Sequence, residues 1–150
     1  MPSYFDIYVI TSKRTETEIE SFLDEFVPHC EEHTDEYVFP QYSENPDITY
    51  TEAKEIISVC CGSVNSEYGI YWRSIKRQKP EYGMIFFLKD GHVIYGLSTD
   101  DTHPEYAVEL LNKLKAYTGS SLGYIGHEAS PDASDMEEFK GQIEVHKSII

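Results

Sequence analysis

Apolar and polar residues alternate from Tyr4 to Ile10, with Phe5, Ile7 and Val9 on one face and Tyr4, Asp6, Tyr8 and Ile10 on the other. A period of two marks a strand. The period then lengthens: Ile19, Phe22, Leu23, Phe26 and Val27 recur at i, i+3, i+4, i+7 and i+8, the apolar stripe of a helix. Thr15 followed by Glu18 gives that helix a capping-box start, in which each side chain satisfies a free backbone N–H, and Pro28 stops or bends it. Glu16, Glu18, Glu20, Asp24 and Glu25 are left to face water.

From His29 to Tyr50 the pattern is irregular, with Pro40 and Pro46, and Glu36 to Tyr42 predicts at best a short edge strand. Thr49 and Glu52 repeat the capping spacing ahead of a second helix carrying Ala53, Ile56, Ile57 and Cys60, ended by Gly62. Glu67 to Ile75 alternates as a strand, and Met84 to Leu88 is a continuous apolar run of the kind buried on both faces. Asp90-Gly91 then joins that run to Val93–Leu97 as a tight hairpin. Thr102 and Glu105, with Pro104 in the first turn, predict a third helix through Ala107, Leu110, Leu111 and Leu114, with Lys113 and Lys115 near its end and Gly119 just past it. Leu122 to Gly126 is a closing strand.

The segment 128–150 is polar: Ser134 and Glu137 offer a fourth capping spacing for a short helix, and Ile143, Val145 and Ile149 suggest an edge strand. The whole predicts a single α+β domain over 1–150, a mainly antiparallel sheet covered by about three helices. The 128–150 extension is expected to be removable without loss of the folded core. Strand order does not follow from the pattern.

Composition adds a folded body, since 40% of the 150 residues are hydrophobic and 13% aromatic. Charge changes the picture more. Residues 15–53 contain twelve acids and no Lys or Arg, out of a net charge of −15 for the chain. The middle of the chain, 53–99, is the only part with a net positive balance. A surface this acidic repels nucleic acid and anionic lipid, so direct binding to either is not expected. No leader-like segment or run of 18 apolar residues occurs, and the three cysteines, Cys30, Cys60 and Cys61, suit a reducing, cytoplasmic setting.

His29, Cys30 and His33 form the one dense group of metal-ligating residue types, yet the zinc-protease pattern needs Glu where Cys30 stands. Cys60 falls on an apolar helical stripe and reads as packing. Neither Cys60 nor Cys61 has the Arg a phosphatase loop requires, and there is no Cys-x-x-Cys. Gly119, Gly123 and Gly126 lack the Lys-Ser/Thr pair of a phosphate cradle. No metal or other cofactor is therefore expected, and no catalytic residue is assigned.

The chain has twelve tyrosines, of which Tyr4, Tyr8, Tyr37, Tyr42, Tyr50, Tyr68 and Tyr71 lie within or around the acidic block and the strand that follows it, and Tyr buries large area at small entropic cost while keeping a polar tip. Glu16, Glu20, Asp24, Glu25, Glu31, Glu32, Asp35, Glu36, Tyr37 and Tyr42 are accordingly the expected partner-binding residues. The run from Phe86-Phe87-Leu88-Lys89-Asp90-Gly91 through Leu110-Leu111-Asn112-Lys113-Leu114-Lys115 to Tyr124-Ile125-Gly126, with the size and acidity, resembles the small acidic immunity proteins of bacterial polymorphic-toxin and contact-dependent inhibition systems. The resemblance covers chiefly residues 82–127. It implies a non-enzymatic inhibitor that binds a basic protein partner, a cognate toxin that is often a nuclease, and blocks it sterically or electrostatically. Two other readings stand beside it: a small hydrolase or metal-dependent enzyme using His29, Cys30 and His33, and an acidic adaptor domain.

Overall fold

The computed structural model describes residues 3–76 and 78–147. In chain order the elements are β1 (Tyr4–Thr11), α1 (Glu16–Phe26), β2 (Cys30–Glu32), β3 (Tyr37–Phe39), β4 (Ile48–Tyr50), α2 (Ala53–Gly62), β5 (Tyr68–Ser74), β6 (Tyr82–Phe87), β7 (Val93–Asp100), α3 (Pro104–Thr118), β8 (Gly123–His127) and α4 (Met136–His146). Six strands form one antiparallel sheet in the order β2-β5-β6-β7-β1-β8, and β3 pairs with β4 in a separate ribbon. The α+β class and the antiparallel sheet follow the sequence expectation. Gly91 at φ +92° makes the predicted turn between β6 and β7.

Alternation in β1 divides the molecule into two layers. Phe5, Ile7 and Val9 join the main core, where Ile19, Phe22 and Phe26 of α1, Ile56, Ile57 and Cys60 of α2 and Leu110 and Leu114 of α3 meet the inner sides of β5, β6 and β7. Phe22 meets Tyr95 edge-on at 5.1 Å between ring centres. On the opposite face Tyr8 and Ile10 join Ile94, Tyr124 and Phe139 in a smaller cluster under α4. Three helices therefore cover one face, and α4 covers part of the other.

Thr15 caps α1 as expected, its hydroxyl accepting from the Glu18 N–H at 3.2 Å. The other predicted caps shift. The capping box of α2 is formed by Glu52 and Glu55 instead of Thr49 and Glu52, because Thr49 is taken into β4. His103 occupies the cap position of α3 in place of Thr102, whose hydroxyl and N–H both turn to Asp100. Asp135 caps α4, one place after Ser134, and accepts from the Glu138 N–H at 2.9 Å.

The edge strand expected around Ile143 and Val145 is a helix. Phe139 and Ile143, four apart, lie on its packed side, and Val145 turns to solvent. Helical burial of Phe139 outweighs the short alternation. Ile149 lies outside the described residues. Ala133, Met136, Phe139 and Ile143 thus tie the 128–147 segment to the second core cluster.

Arg14, between β1 and α1, was not singled out by the sequence and ties three loops together. Its guanidinium is buried and donates to the carbonyls of Cys60 (2.9 Å), Leu88 (2.8 Å), Ser63 (3.1 Å), Ser66 (2.8 Å) and His92 (3.3 Å). The Phe87 ring lies 5.0 Å beneath it.

Candidate functional site

The nominated acids divide between two sides of the sheet. Glu16, Glu20 and Asp24 follow one another at i, i+4 and i+8 on α1, with Glu25 beside them, and all four are exposed. No Lys or Arg occurs in α1, and none of the four acids forms an ion pair among the described residues. Like charges at i, i+4 on a helix are mildly destabilising, so this stripe is not explained by the helix's own stability. Asp35 and Glu36 are exposed in the turn after β2.

β2 is extended, so its side chains alternate. Cys30 packs against the main core, and Glu32, on the same side, accepts from the Tyr37 hydroxyl at 2.7 Å and from the Ala53 N–H of α2 at 2.8 Å. Tyr37 is consequently buried, at 2% exposure, and offers no surface to a partner; burial, aided by Glu32, pushes its hydroxyl pKa upward. The Tyr-plus-acid pattern that nominated it reflects an internal bond. Glu31 points the other way and pairs with Arg73, opposite it in register, at 2.6 Å. Tyr42 is 85% exposed at a left-handed φ of +64°, an uncommon conformation for a residue with a Cβ.

On the side of the sheet away from α1, α2 and α3, the part that α4 leaves open holds a cleft of about 390 Å³. Tyr4, Tyr8, Tyr71 and Tyr82 wall it, Asp6 lies at its floor and Glu128 at its rim. Tyr4 and Tyr82 meet edge-on at 5.7 Å. His33 closes one side, its ring 6.5 Å from Tyr71 and its N–H bonded to the Tyr71 carbonyl at 3.0 Å. Gly96 stands opposite Tyr8 in the β1–β7 register, and a Cβ there would meet the Tyr8 ring at 3.0 Å; glycine lets that ring lie across β7.

Asp6 is 9% exposed. The Ser98 hydroxyl donates to one carboxylate oxygen and the Ala129 N–H to the other at 2.9 Å. Burial raises its pKa, and these two bonds work against the rise. The loop after β8 completes the cleft: the Tyr8 hydroxyl donates to the Ala129 carbonyl at 2.7 Å, and Glu128, at φ +56°, accepts from the Tyr4 N–H at 2.8 Å. Sequence reasoning missed this site because its residues come from β1, β5, β6, β7, His33 after β2 and the loop after β8. One signal was available, the alternation of Tyr4, Asp6 and Tyr8 on the second face of the first strand.

His29, Cys30 and His33 lie on and around a strand, so the helical arrangement that would bring two imidazoles together does not form. Among the described residues no group of three or more His, Cys, Asp and Glu side chains converges as a metal site would require. Burial pushes the Cys60 thiol up to about 12 and the Cys61 thiol up to about 11, leaving both protonated near neutrality. Among the described residues no helix is long and apolar enough to cross a membrane.

No protein family's sequence profile matches the chain, and no curated protein matches it. Among solved structures, a chain of the toxic C-terminal tip of CdiA from Pseudomonas aeruginosa in complex with immune protein is similar over 91% of this chain and 92% of its own, at 15% identity and a TM-score of 0.47.

Proposed function

We propose that this chain is a non-enzymatic protein-binding module of the immunity-protein type, which neutralises a toxin by presenting acidic and aromatic surface to a basic partner. The observation that carries the reading is the exposed stripe Glu16, Glu20, Asp24 and Glu25, four acids with no counter-ion among the described residues, whose i, i+4 spacing sets like charges against one another. Charge of this kind steers encounter and sets specificity, and a few buried aromatic contacts slow dissociation. Tyr42 supplies one exposed ring of that sort on the protein's surface.

The test begins with affinity capture from the native cell and identification of the retained protein. Association is then timed for the wild type, for a variant with Glu16, Glu20, Asp24 and Glu25 changed to Gln or Asn, and for a charge-matched control altered at the exposed acids Glu67, Glu105, Asp132 and Glu137. The first variant should associate about tenfold more slowly at low salt, with the gap closing near 500 mM as the screening length falls to about 4 Å. Equal slowing in the control, or retention of an acidic partner, would overturn the reading.

A further inference from the structure

We infer that the cleft walled by Tyr4, Tyr8, Tyr71 and Tyr82 receives an arginine side chain of a protein partner, with the guanidinium between the rings and against Asp6 and Glu128. The inference rests on the partner-binding reading and names its anchor. Two features of the cleft's lining lead to a cation. Its walls are aromatic faces and edges from separate strands, which attract a cation through the ring quadrupole. Its floor is a carboxylate removed from water, and among the described residues no Lys or Arg lines the cleft to neutralise it.

Geometry supplies the rest. Each oxygen of Asp6 already has one donor, from Ser98 or Ala129, which fixes the carboxylate in place and leaves a further acceptor position on each. A planar guanidinium can use two such positions at once and stack its plane on a ring, which an ammonium cannot. Glu128 is held at the rim in a left-handed conformation by its bond to the Tyr4 N–H, strain of the kind that accumulates at binding sites. Arg73, opposite Tyr82 in the β5–β6 register, is paired with Glu31.

The test uses the full chain with labelled tyrosine rings and two probes, Nα-acetyl-arginine methylamide and its neutral isostere Nα-acetyl-citrulline methylamide, followed by NMR titration. The arginine probe should shift the rings of Tyr4, Tyr71 and Tyr82 saturably, about tenfold more tightly than the citrulline probe. Glu128→Gln and Tyr82→Leu should each weaken the arginine probe several-fold, and Glu137→Gln, on α4 away from the cleft, should not. Equal shifts from both probes, or arginine shifts that survive in Tyr82→Leu, would overturn the inference. The outcome separates from that of the proposed function: a basic protein partner insensitive to Tyr82→Leu removes the anchor alone, whereas arginine in the cleft without any basic partner removes the inhibitor reading alone.

Discussion

The Tyr37 hydroxyl and the Glu32 carboxylate meet at 2.7 Å, and the same carboxylate oxygen takes the Ala53 N–H at the start of α2. One acid from the charged stretch therefore joins β2, β3 and α2. The negative group also sits where the first free N–H groups of a helix favour an anion. Tyr37→Phe should cost about 1 kcal/mol, the net worth of one such bond, with an unchanged denaturant slope in urea unfolding. A variant as stable as the wild type would show that Glu32 is satisfied by Ala53 and water alone.

Arg14 holds five carbonyls from segments 46 to 78 positions away. Lysine keeps the charge and loses the fork, so Arg14→Lys should lower stability by about 3 kcal/mol, several carbonyls being left without a donor. Thermal unfolding followed by circular dichroism measures it. A loss below about 0.5 kcal/mol would mean that water replaces the guanidinium at no cost.

Phe139 is fully buried against Tyr124, with ring centres 5.2 Å apart, and the Met136 N–H donates to Asp90 of the β6–β7 turn at 2.8 Å. Phe139→Ala should therefore cost about 3–5 kcal/mol. Removal of residues 128–150, expected from the sequence to leave a folded core because the clear amphipathic elements lie before it, should instead uncover Tyr8, Ile10 and Ile94 and raise binding of a hydrophobic dye. Unaltered unfolding of the truncated chain would place α4 outside the cooperative unit.

Asp6 sets a pH dependence of definite sign. Its folded pKa is raised above the unfolded value of about 3.9, so between the two values the folded chain binds more protons than the unfolded one. Its contribution is most favourable below about pH 4 and declines as pH rises through the raised folded value. Asp6→Asn, which lacks this titration, should gain on the wild type as pH increases across that window in paired urea unfolding experiments. A constant difference, or one that moves the other way, would show that the Ser98 and Ala129 bonds outweigh burial.

Elements with long, regular patterns are legible in the sequence alone. β1 showed its two faces, α1 its cap at Thr15 and its stripe, and Asp90-Gly91 its turn, because each signal is local. β2, β3 and β4 have three residues each, too few to establish a period, and they lie among prolines and acids. α4 was half hidden by the chance alternation of Ile143 and Val145 around sparse apolar positions. Arg14 left no trace because its partners are backbone carbonyls, which every residue carries. For the surface, the acids of α1 were readable as exposed, whereas the cleft needed Tyr4, Tyr71 and Tyr82 to be brought side by side by strand order, and Tyr37 could not be told from an exposed ring without its bond to Glu32.

The position of β1 in the sheet has a consequence for how the protein is made. β1 precedes every other strand in the chain, yet its neighbours are β7 and β8, and the two bonds of Asp6 span 92 and 123 positions. As the chain leaves the ribosome, an apolar strand emerges with both edges empty and waits until most of the protein has been synthesised. Such long-range closure is slow, and a waiting strand invites pairing with its neighbours on the same messenger. The acids that follow on α1 emerge next and give nascent chains a like charge that opposes such pairing, the role of a gatekeeper beside an apolar strand.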